Sequence, residues 1–194
     1  MRMIAKHKIK PCGSGKSRCL LLILALALFL LPLQAIALEI FLPELGLSLS
    51  LPNSLDAFTR SMSPDDPLLK LRGQSAGQVR DELTARGLSL EALDIAGAYT
   101  IQLSVVPDRG PDYAELDDSQ LGETAGARGM GQYEILRSPQ AAFVILRNGS
   151  QASCLTRVGS QLFTLQLFAA SGFSEGMLKT LRGIARSMDF GLQQ

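Results

Sequence analysis

The hydrophobic positions of this chain repeat with two different periods, and these periods divide most of it into strands and helices. Between Leu45 and Leu51 a leucine stands at every second position with Gly or Ser between, which predicts a strand buried on one face. A turn then leads into a second short strand at 55–60. The segment 61–73 is predicted to be a loop with one helical turn at 68–71.

Two helices have well-marked ends, and a third is weaker. Ser75 and Gln78 have the spacing of a capping box, and Gly87 provides a stop signal for that helix. Residues 118–129 are predicted to be helical although three glycines weaken the segment. Ser174 starts the closing helix, whose apolar residues fall on one face at helical spacing: Leu178, Leu181, Ile184, Ala185 and Met188.

Six further strands complete the predicted order of elements. They lie at 90–95, 99–106, 133–136, 141–147, 153–158 and 162–169. Asn148-Gly149 is typical of a two-residue hairpin turn, because both residues tolerate a positive φ. Asn148-Gly149-Ser150 is also a glycosylation sequon, but the strands on either side favour the turn. Neighbouring hairpins and intervening helices together indicate an α+β fold, an antiparallel sheet flanked by helices.

The first 37 residues are typical of an export signal. Six Lys and Arg residues and no acid precede a continuous apolar stretch at 20–33. Ala35 and Ala37 supply the small-x-small pair that signal peptidase accepts, and cleavage after Ala37 would leave a chain that begins at Leu38.

An uncleaved anchor is the alternative to cleavage. The stretch from Cys19 to Ala37 is at the lower length limit for a membrane-spanning helix, and the basic segment before it would stay in the cytoplasm. We therefore divide the chain into a signal peptide or signal anchor at 1–37 and one domain at 38–194. In both cases the domain is either secreted or held at the extracytoplasmic face of the membrane, and the membrane is contacted only through an uncleaved N-terminal segment.

A short phosphate-binding motif competes with this interpretation. Gly15-Lys16-Ser17 matches the end of a nucleotide-binding loop, but the first glycine of that pattern would fall at position 10, which is Lys10. No strand is predicted before the motif, and the segment after it is apolar on all sides. The required context is absent, so we interpret Gly13–Ser17 as part of the basic region of the export signal.

Composition excludes several chemistries from residues 38–194. Thirteen Lys and Arg residues against eighteen Asp and Glu residues give this part a formal charge of −5, which argues against a nucleic-acid partner. The chain's one histidine, His7, lies in the leader. A catalytic Ser-His-Asp or Cys-His arrangement and a histidine-ligated metal site are therefore excluded, and no cofactor is predicted. Cys154 is the one cysteine after the leader, and we predict it to be a buried core residue.

Carboxylates are the remaining candidates for catalytic groups in residues 38–194. Asp65-Asp66 and Asp117-Asp118 are adjacent pairs, but neighbours in sequence do not face one another unless the backbone turns sharply. We interpret the first pair as part of a turn and the second as a helix start. Neither has the residue spacing of a calcium-binding loop.

Several segments resemble the PsbP-like family. The opening "LPELGLSLSLPNSLDAFTR", the strand "AAFVILR", the segment "VGSQLFTLQLFAASG" and the ending "IARSMDF" are similar to that family, and more so to uncharacterised exported proteins of Gram-positive bacteria. The resemblance implies an α/β/α sandwich around an antiparallel sheet. It also implies a binding or assembly module without enzymatic activity, although fold alone never fixes function.

Three functional classes remain, and the first is preferred. The first is an extracytoplasmic, non-enzymatic interaction domain with an unknown partner protein of the cell envelope; its binding surface would be the loop that holds Arg60, Asp65 and Asp66, because loops often carry function. The alternative, which surface acids more commonly follow, is that the acids of this loop serve solubility alone. The second class is a carrier of a small apolar ligand between sheet and helix, and the third is an enzyme that depends on carboxylates.

N-terminal sequencing of the protein from its host, combined with cell fractionation, tests the leader. We expect a chain that begins at Leu38 in the extracytoplasmic fraction, because the Ala-x-Ala pair follows an apolar core of ordinary length. An intact leader in the membrane fraction would show an anchor. A cytosolic protein that retains residues 1–37 would contradict export.

Overall fold

The computed structural model describes residues 37–127 and 132–191. The predicted leader before residue 37, including Ala35, lies outside the described residues. The strands are β1 (Ala37–Leu42), β2 (Leu47–Pro52), β3 (Leu55–Thr59), β4 (Leu88–Asp94), β5 (Tyr99–Pro107), β6 (Tyr133–Arg137), β7 (Ala142–Asn148), β8 (Gln151–Val158), β9 (Gln161–Ala169) and β10 (Asp189–Phe190). The helices are α1 (Pro67–Arg72), α2 (Ala76–Ala85), α3 (Asp118–Ala127) and α4 (Glu175–Ser187).

Seven strands form one antiparallel sheet in the order β3-β4-β5-β9-β8-β7-β6. Its centre is the β5–β9 pair, which is in register from Tyr99 opposite Ala169 to Pro107 opposite Gln161. The β7–β8 hairpin turns at Gly149 and Ser150, one residue later than the predicted Asn148-Gly149 pair, because Asn148 still pairs with Gln151 in the sheet. Gly149 has the positive φ expected of it, 57°, and Asn148 does not have one.

A second, smaller sheet has the order β1-β2-β10 and is also antiparallel. The alternation of leucines predicted for β2 is realised: Leu47, Leu49 and Leu51 are buried, and the serines between them are not. These leucines belong to the same hydrophobic cluster as one face of the large sheet and helix α4. Helix α4 therefore packs against both sheets and buries the apolar side chains of each.

The opposite face of the large sheet is covered by the other helices. Helices α1 and α2 pack with Phe58 at the β3–β4 end, and α3 packs with Val144 and Leu155 at the β6–β8 end. Helices thus lie on both faces of an antiparallel sheet, which confirms the predicted α+β class with helix-flanked layers.

Two strands and the extent of one helix differ from the sequence-based expectation. Strands β1 and β10 were not predicted, and α1 is six residues long where a single turn was expected. β10 has two residues, too few for any periodic signal, and it exists because the chain after α4 pairs with Leu47 and Ser48. The predicted cap residues of α2 and α4, Ser75 and Ser174, are confirmed.

Cys154 lies in the core, as predicted. It belongs to β8 and is 2% exposed between the sheet and α4. Burial, together with the charge of Glu134, raises the pKa of the Cys154 thiol far above its usual range. The thiolate that would act as a nucleophile is therefore strongly disfavoured in the folded protein.

A thiol reagent tests this burial. We expect Cys154 to be unreactive in the folded protein and to react at once after unfolding in guanidinium, because burial blocks both access and ionisation. The Cys154→Ser variant is the control, since any thiol that still reacts in it comes from the leader. Rapid reaction of Cys154 under native conditions would contradict the buried position.

Candidate functional site

Arg60, the first residue of the predicted binding loop, connects three elements. Its Nε donates a hydrogen bond to the carbonyl oxygen of Leu88 at the start of β4. Its own carbonyl oxygen accepts a hydrogen bond of 3.1 Å from Nε of Arg80 on α2. Arg60 thus joins the end of β3 to β4 and α2.

The two acids of that loop have different environments. Asp66 is the N-cap of α1, and its Oδ1 accepts a hydrogen bond of 2.9 Å from the backbone N–H of Leu68. Asp65 is exposed in the turn before the helix, as expected from the sequence. The structure therefore gives Arg60 and Asp66 roles in local structure, and binding by this loop stays a prediction.

The second pair of acids marks the start of α3, also as expected. Oδ1 of Asp117 accepts a hydrogen bond of 2.9 Å from the backbone N–H of Gln120. Asp118 instead forms an ion pair of 2.7 Å with Nη2 of Arg137 on β6. The two neighbouring carboxylates thus have separate partners.

Two carboxyl groups have shifted pKa values, and both shifts are downward. Burial raises the pKa of Glu91, but the hydrogen bond and charge of Arg86 outweigh that effect. The hydrogen bond from Arg182 lowers the pKa of Glu134 against the opposing effect of burial. A general acid at neutral pH needs a raised pKa, so neither group is prepared for that role.

Glu134 belongs to an ionic cluster that connects α4 to the edge of the large sheet. Arg182 on α4 donates to both oxygens of Glu134, at 2.9 and 2.7 Å, and to Oε1 of Glu175 at 2.7 Å. Arg147 on β7 lies 3.7 Å from Glu134. The cluster positions the closing helix, and its charges lie along the end strand β6.

Strand β1 presents a different kind of edge. It is an end strand of the small sheet, so among the described residues no strand pairs with its outer edge. Phe41 is 61% exposed and Leu38 is 40% exposed, although β1 is six residues long. We use the name β1 surface for the outer edge of β1 with Leu38, Glu39, Ile40 and Phe41.

A concavity of about 500 Å³ lies over the outer face of the small sheet, across β1, β2 and β10. Its described lining combines Phe41 with five polar side chains, two of which are carboxylates: Glu39, Ile40, Phe41, Ser48, Leu49, Ser50, Ser187 and Asp189. The register explains this composition, because Phe41 lies opposite Ser48 and Glu39 lies opposite Ser50 on the outer face.

Two other strand edges of the described chain carry polar side chains that form hydrogen bonds or ion pairs. Where β10 ends beside β2, Oγ of Ser187 accepts a hydrogen bond of 2.9 Å from the backbone N–H of Ser50. At the edge of the large sheet, β6 carries Glu134 and Arg137, both in ion pairs. Charges of this kind normally protect edges from pairing with another chain. The β1 edge has one acid, no base and no proline within the strand.

β1 was missed because it directly follows the apolar leader in the sequence. Its apolar residues at 38, 40, 41 and 42 do not alternate cleanly, so they continue the leader's hydrophobic run. The signal that could have revealed the strand is Leu38, Ile40 and Leu42 at period two, followed by a turn in which Gly46 has a φ of 58°.

The described residues, 37–127 and 132–191, contain neither a metal-binding group of side chains nor a helix able to span a membrane. Those residues contain no group of three or more His, Cys, Asp or Glu side chains able to hold a metal ion. Among the same residues, no helix has the length and apolar character needed to cross a membrane.

Comparison with known proteins finds similarity among solved structures but identifies no family. No protein-family model matches the chain, and no curated protein matches it. Among solved structures, the chain is similar to the solution structure of cyanobacterial PsbP (CyanoP) from Synechocystis sp. PCC 6803, with 10% sequence identity and a TM-score of 0.43. The match covers 80% of this chain and 93% of that one. The resemblance to exported proteins of Gram-positive bacteria stays a prediction.

The pH dependence of stability tests the ionic cluster. The pKa of Glu134 is lowered in the folded state, so its contribution to stability is present above the ordinary glutamate pKa and is lost as the pH falls through the lowered value. We expect Glu134→Gln to destabilise the protein by about 1 kcal/mol at neutral pH and by much less near pH 3, as measured by denaturant unfolding.

Glu175→Gln is the matched control, because Glu175 bonds the same arginine but its side chain is 72% exposed. Its effect at neutral pH should be smaller, because solvent screens an exposed ion pair. A Glu134→Gln effect that persists unchanged at acid pH would contradict the role assigned to the carboxylate.

Proposed function

We propose that residues 38–194 form an extracytoplasmic, non-enzymatic interaction domain that binds a partner protein of the cell envelope through the β1 surface. The observation that carries this proposal is the open edge of β1 with its exposed Phe41. Addition of an extended segment to such an edge is a common mode of peptide recognition.

The sequence supports the cellular location in this proposal. A basic segment, an apolar core and the Ala35/Ala37 pair precede the domain, and residues 38–194 carry a net charge of −5. Whether the leader is cleaved or kept as an anchor, the proposal puts the domain on the same side of the membrane.

The chemistry of the described side chains supports binding over catalysis. The two carboxyls with a shifted pKa, Glu91 and Glu134, are ionised and hydrogen-bonded to arginines. Cys154 is buried and protonated, and histidine is absent after residue 7. The acids predicted from the sequence at 65–66 and 117–118 include two helix caps and one ion pair.

The alternative function of an apolar-ligand carrier has less support. It requires space between the large sheet and α4, but the side chains at that contact fill it. Leu178, Leu181 and Ile184 are at most 1% exposed and pack against Leu165 and Cys154. A protein interior packed in this way leaves little room for a ligand.

Photo-cross-linking in intact cells tests the proposed function. A photoreactive phenylalanine derivative replaces Phe41 in the full chain, and cross-linked peptides are identified by mass spectrometry. We expect one reproducible partner segment at this position, because an added strand would lie beside Phe41.

The same derivative at Leu71 is the control, since Leu71 is 80% exposed on α1 and apart from β1. The proposal requires products at position 41 that are missing at position 71. Identical products at both positions, or none at position 41, would overturn it.

A further inference from the structure

We infer that helix α3 covers a binding site for a small, neutral, apolar molecule that carries one hydrogen-bonding oxygen, and that the hydroxyl of Tyr113 is the polar contact in this site. The site lies between α3 and strands β7–β9, on the face of the large sheet opposite to α4. It is separate from the β1 surface and from the filled contact of α4, so the inference goes beyond the proposed function.

The observation that carries this inference is the buried hydroxyl of Tyr113. This residue lies in a short 3₁₀ helix, Tyr113–Glu115, and is fully buried. Among the described residues, its Oη is the one buried side-chain oxygen or nitrogen without a hydrogen-bond partner. Buried Thr156 shows the usual arrangement, because its Oγ1 donates to the carbonyl oxygen of Ala142 at 2.7 Å. An unpartnered hydroxyl destabilises a core, and it is a group that a ligand can bind.

The surroundings of Tyr113 define the class of ligand. The side chains that form one buried cluster with it are all apolar: Leu121, Ala125, Ala142, Val144, Leu146, Leu155 and Leu162. The guanidinium of Arg157 lies 5.2 Å from the centre of the Tyr113 ring, but it already bonds Oδ2 of Asp108 at 3.0 and 2.6 Å. A charged ligand would be costly to bury here. Apolar walls with one hydroxyl favour a neutral molecule with a single polar oxygen.

A ligand can enter only if part of the cover moves, and the C-terminal half of α3 is the least secured part. Of the ten residues of α3, only Leu121 and Ala125 are buried. Gly122 and Gly126 lower the stability of the helix, since each costs about 1 kcal/mol relative to alanine. After Gly122, the side chain of Ala125 is the one buried contact of α3 with the cluster, and it is a single methyl group.

The other parts of the cover are held by ionic contacts. The start of α3 is fixed by the ion pair of Asp118 with Arg137. The loop before Tyr113 is held by Arg157, which bonds Asp108 and the carbonyl oxygen of Pro111. We therefore expect the last turns of α3 to open locally while its first turn stays attached, because local opening costs less than global unfolding.

Two fluorescent probes that differ by one hydroxyl group, naphthalene and 1-naphthol, test the site. The protein is purified from cells that express the full chain, which contains no tryptophan to interfere with the probe fluorescence. Titration gives a dissociation constant for each probe. Amide hydrogen exchange of residues 121–127 reports whether the bound probe lies at α3.

We expect both probes to bind and to slow exchange in α3. 1-Naphthol should bind about tenfold more tightly than naphthalene, because its hydroxyl gives the Tyr113 hydroxyl a partner. In Tyr113→Phe this preference should disappear, and the melting temperature should stay the same or rise, since an unpartnered polar group leaves the core. Tyr99→Phe on β5 is the matched control, which removes a hydroxyl elsewhere and should keep the preference.

Gly126→Ala tests the opening of α3. Gly126 is exposed, and a Cβ there would meet no heavy atom within 4 Å, so alanine strengthens the helix without filling the site. Both probes should then bind about fivefold more weakly with their ratio unchanged, because the open state is less populated. Gly183→Ala is the matched control: Gly183 is exposed on α4, a Cβ there also meets nothing within 4 Å, and binding should not change.

Four results would overturn the inference. The first is that neither probe binds, or that the unsubstituted chain binds both equally. The second is a preference for 1-naphthol that survives in Tyr113→Phe. The third is a much lower melting temperature of Tyr113→Phe, which would show that the hydroxyl has a structural partner such as a bound water. The fourth is an affinity that Gly126→Ala leaves unchanged. None of these results bears on the β1 surface, so cross-linking at Phe41 tests the proposed function independently.

Discussion

The packing of α4 between two sheets is the contact on which the described structure depends. Leu178, Leu181 and Ile184 lie in one cluster with the inner faces of the large sheet and of β2. Without this helix, both sheets would expose an apolar face to water, at a cost of about 25 cal/mol for each Å² exposed. The apolar stripe of one amphipathic helix therefore determines that two separately hydrogen-bonded sheets share a core.

Polar side chains on two sides of α4 add ion pairs and hydrogen bonds to the packing of its apolar stripe. Arg182 forms ion pairs with Glu134 on β6, and Ser187 bonds to the backbone of Ser50 on β2. The ion pair places charged side chains along the end strand β6. The Ser187 hydroxyl gives the backbone N–H of Ser50 a hydrogen-bond partner at a position that the short strand β10 does not reach. One helix thus covers the apolar faces and closes two polar edges, and β1 is an edge that it leaves open.

The open edge of β1 allows binding by a domain with few reactive side chains. Histidine is absent after residue 7, the one cysteine of residues 38–194 is buried, and the shifted carboxyls are held ionised by arginines. Backbone hydrogen bonding needs no activated side chain, so an extended edge with an exposed aromatic residue can bind without any of them. The combination of unreactive side chains and the open edge of β1 is the physical basis of the proposed interaction domain.

The sequence by itself determined the elements with strong periodicity or clear end signals. Alternating leucines predicted β2, the Ser75/Gln78 pair predicted the start of α2, and Asn148-Gly149 predicted the β7–β8 turn to within one residue. These signals are local, because each depends on residues within one turn or one strand. The separation into two sheets, the roles of Arg60 and Asp66, and strands β1 and β10 depended on tertiary structure. β1 is defined by its pairing with β2, and its open edge by which residues pack nearby, so neither can be read from the apolar run that precedes it.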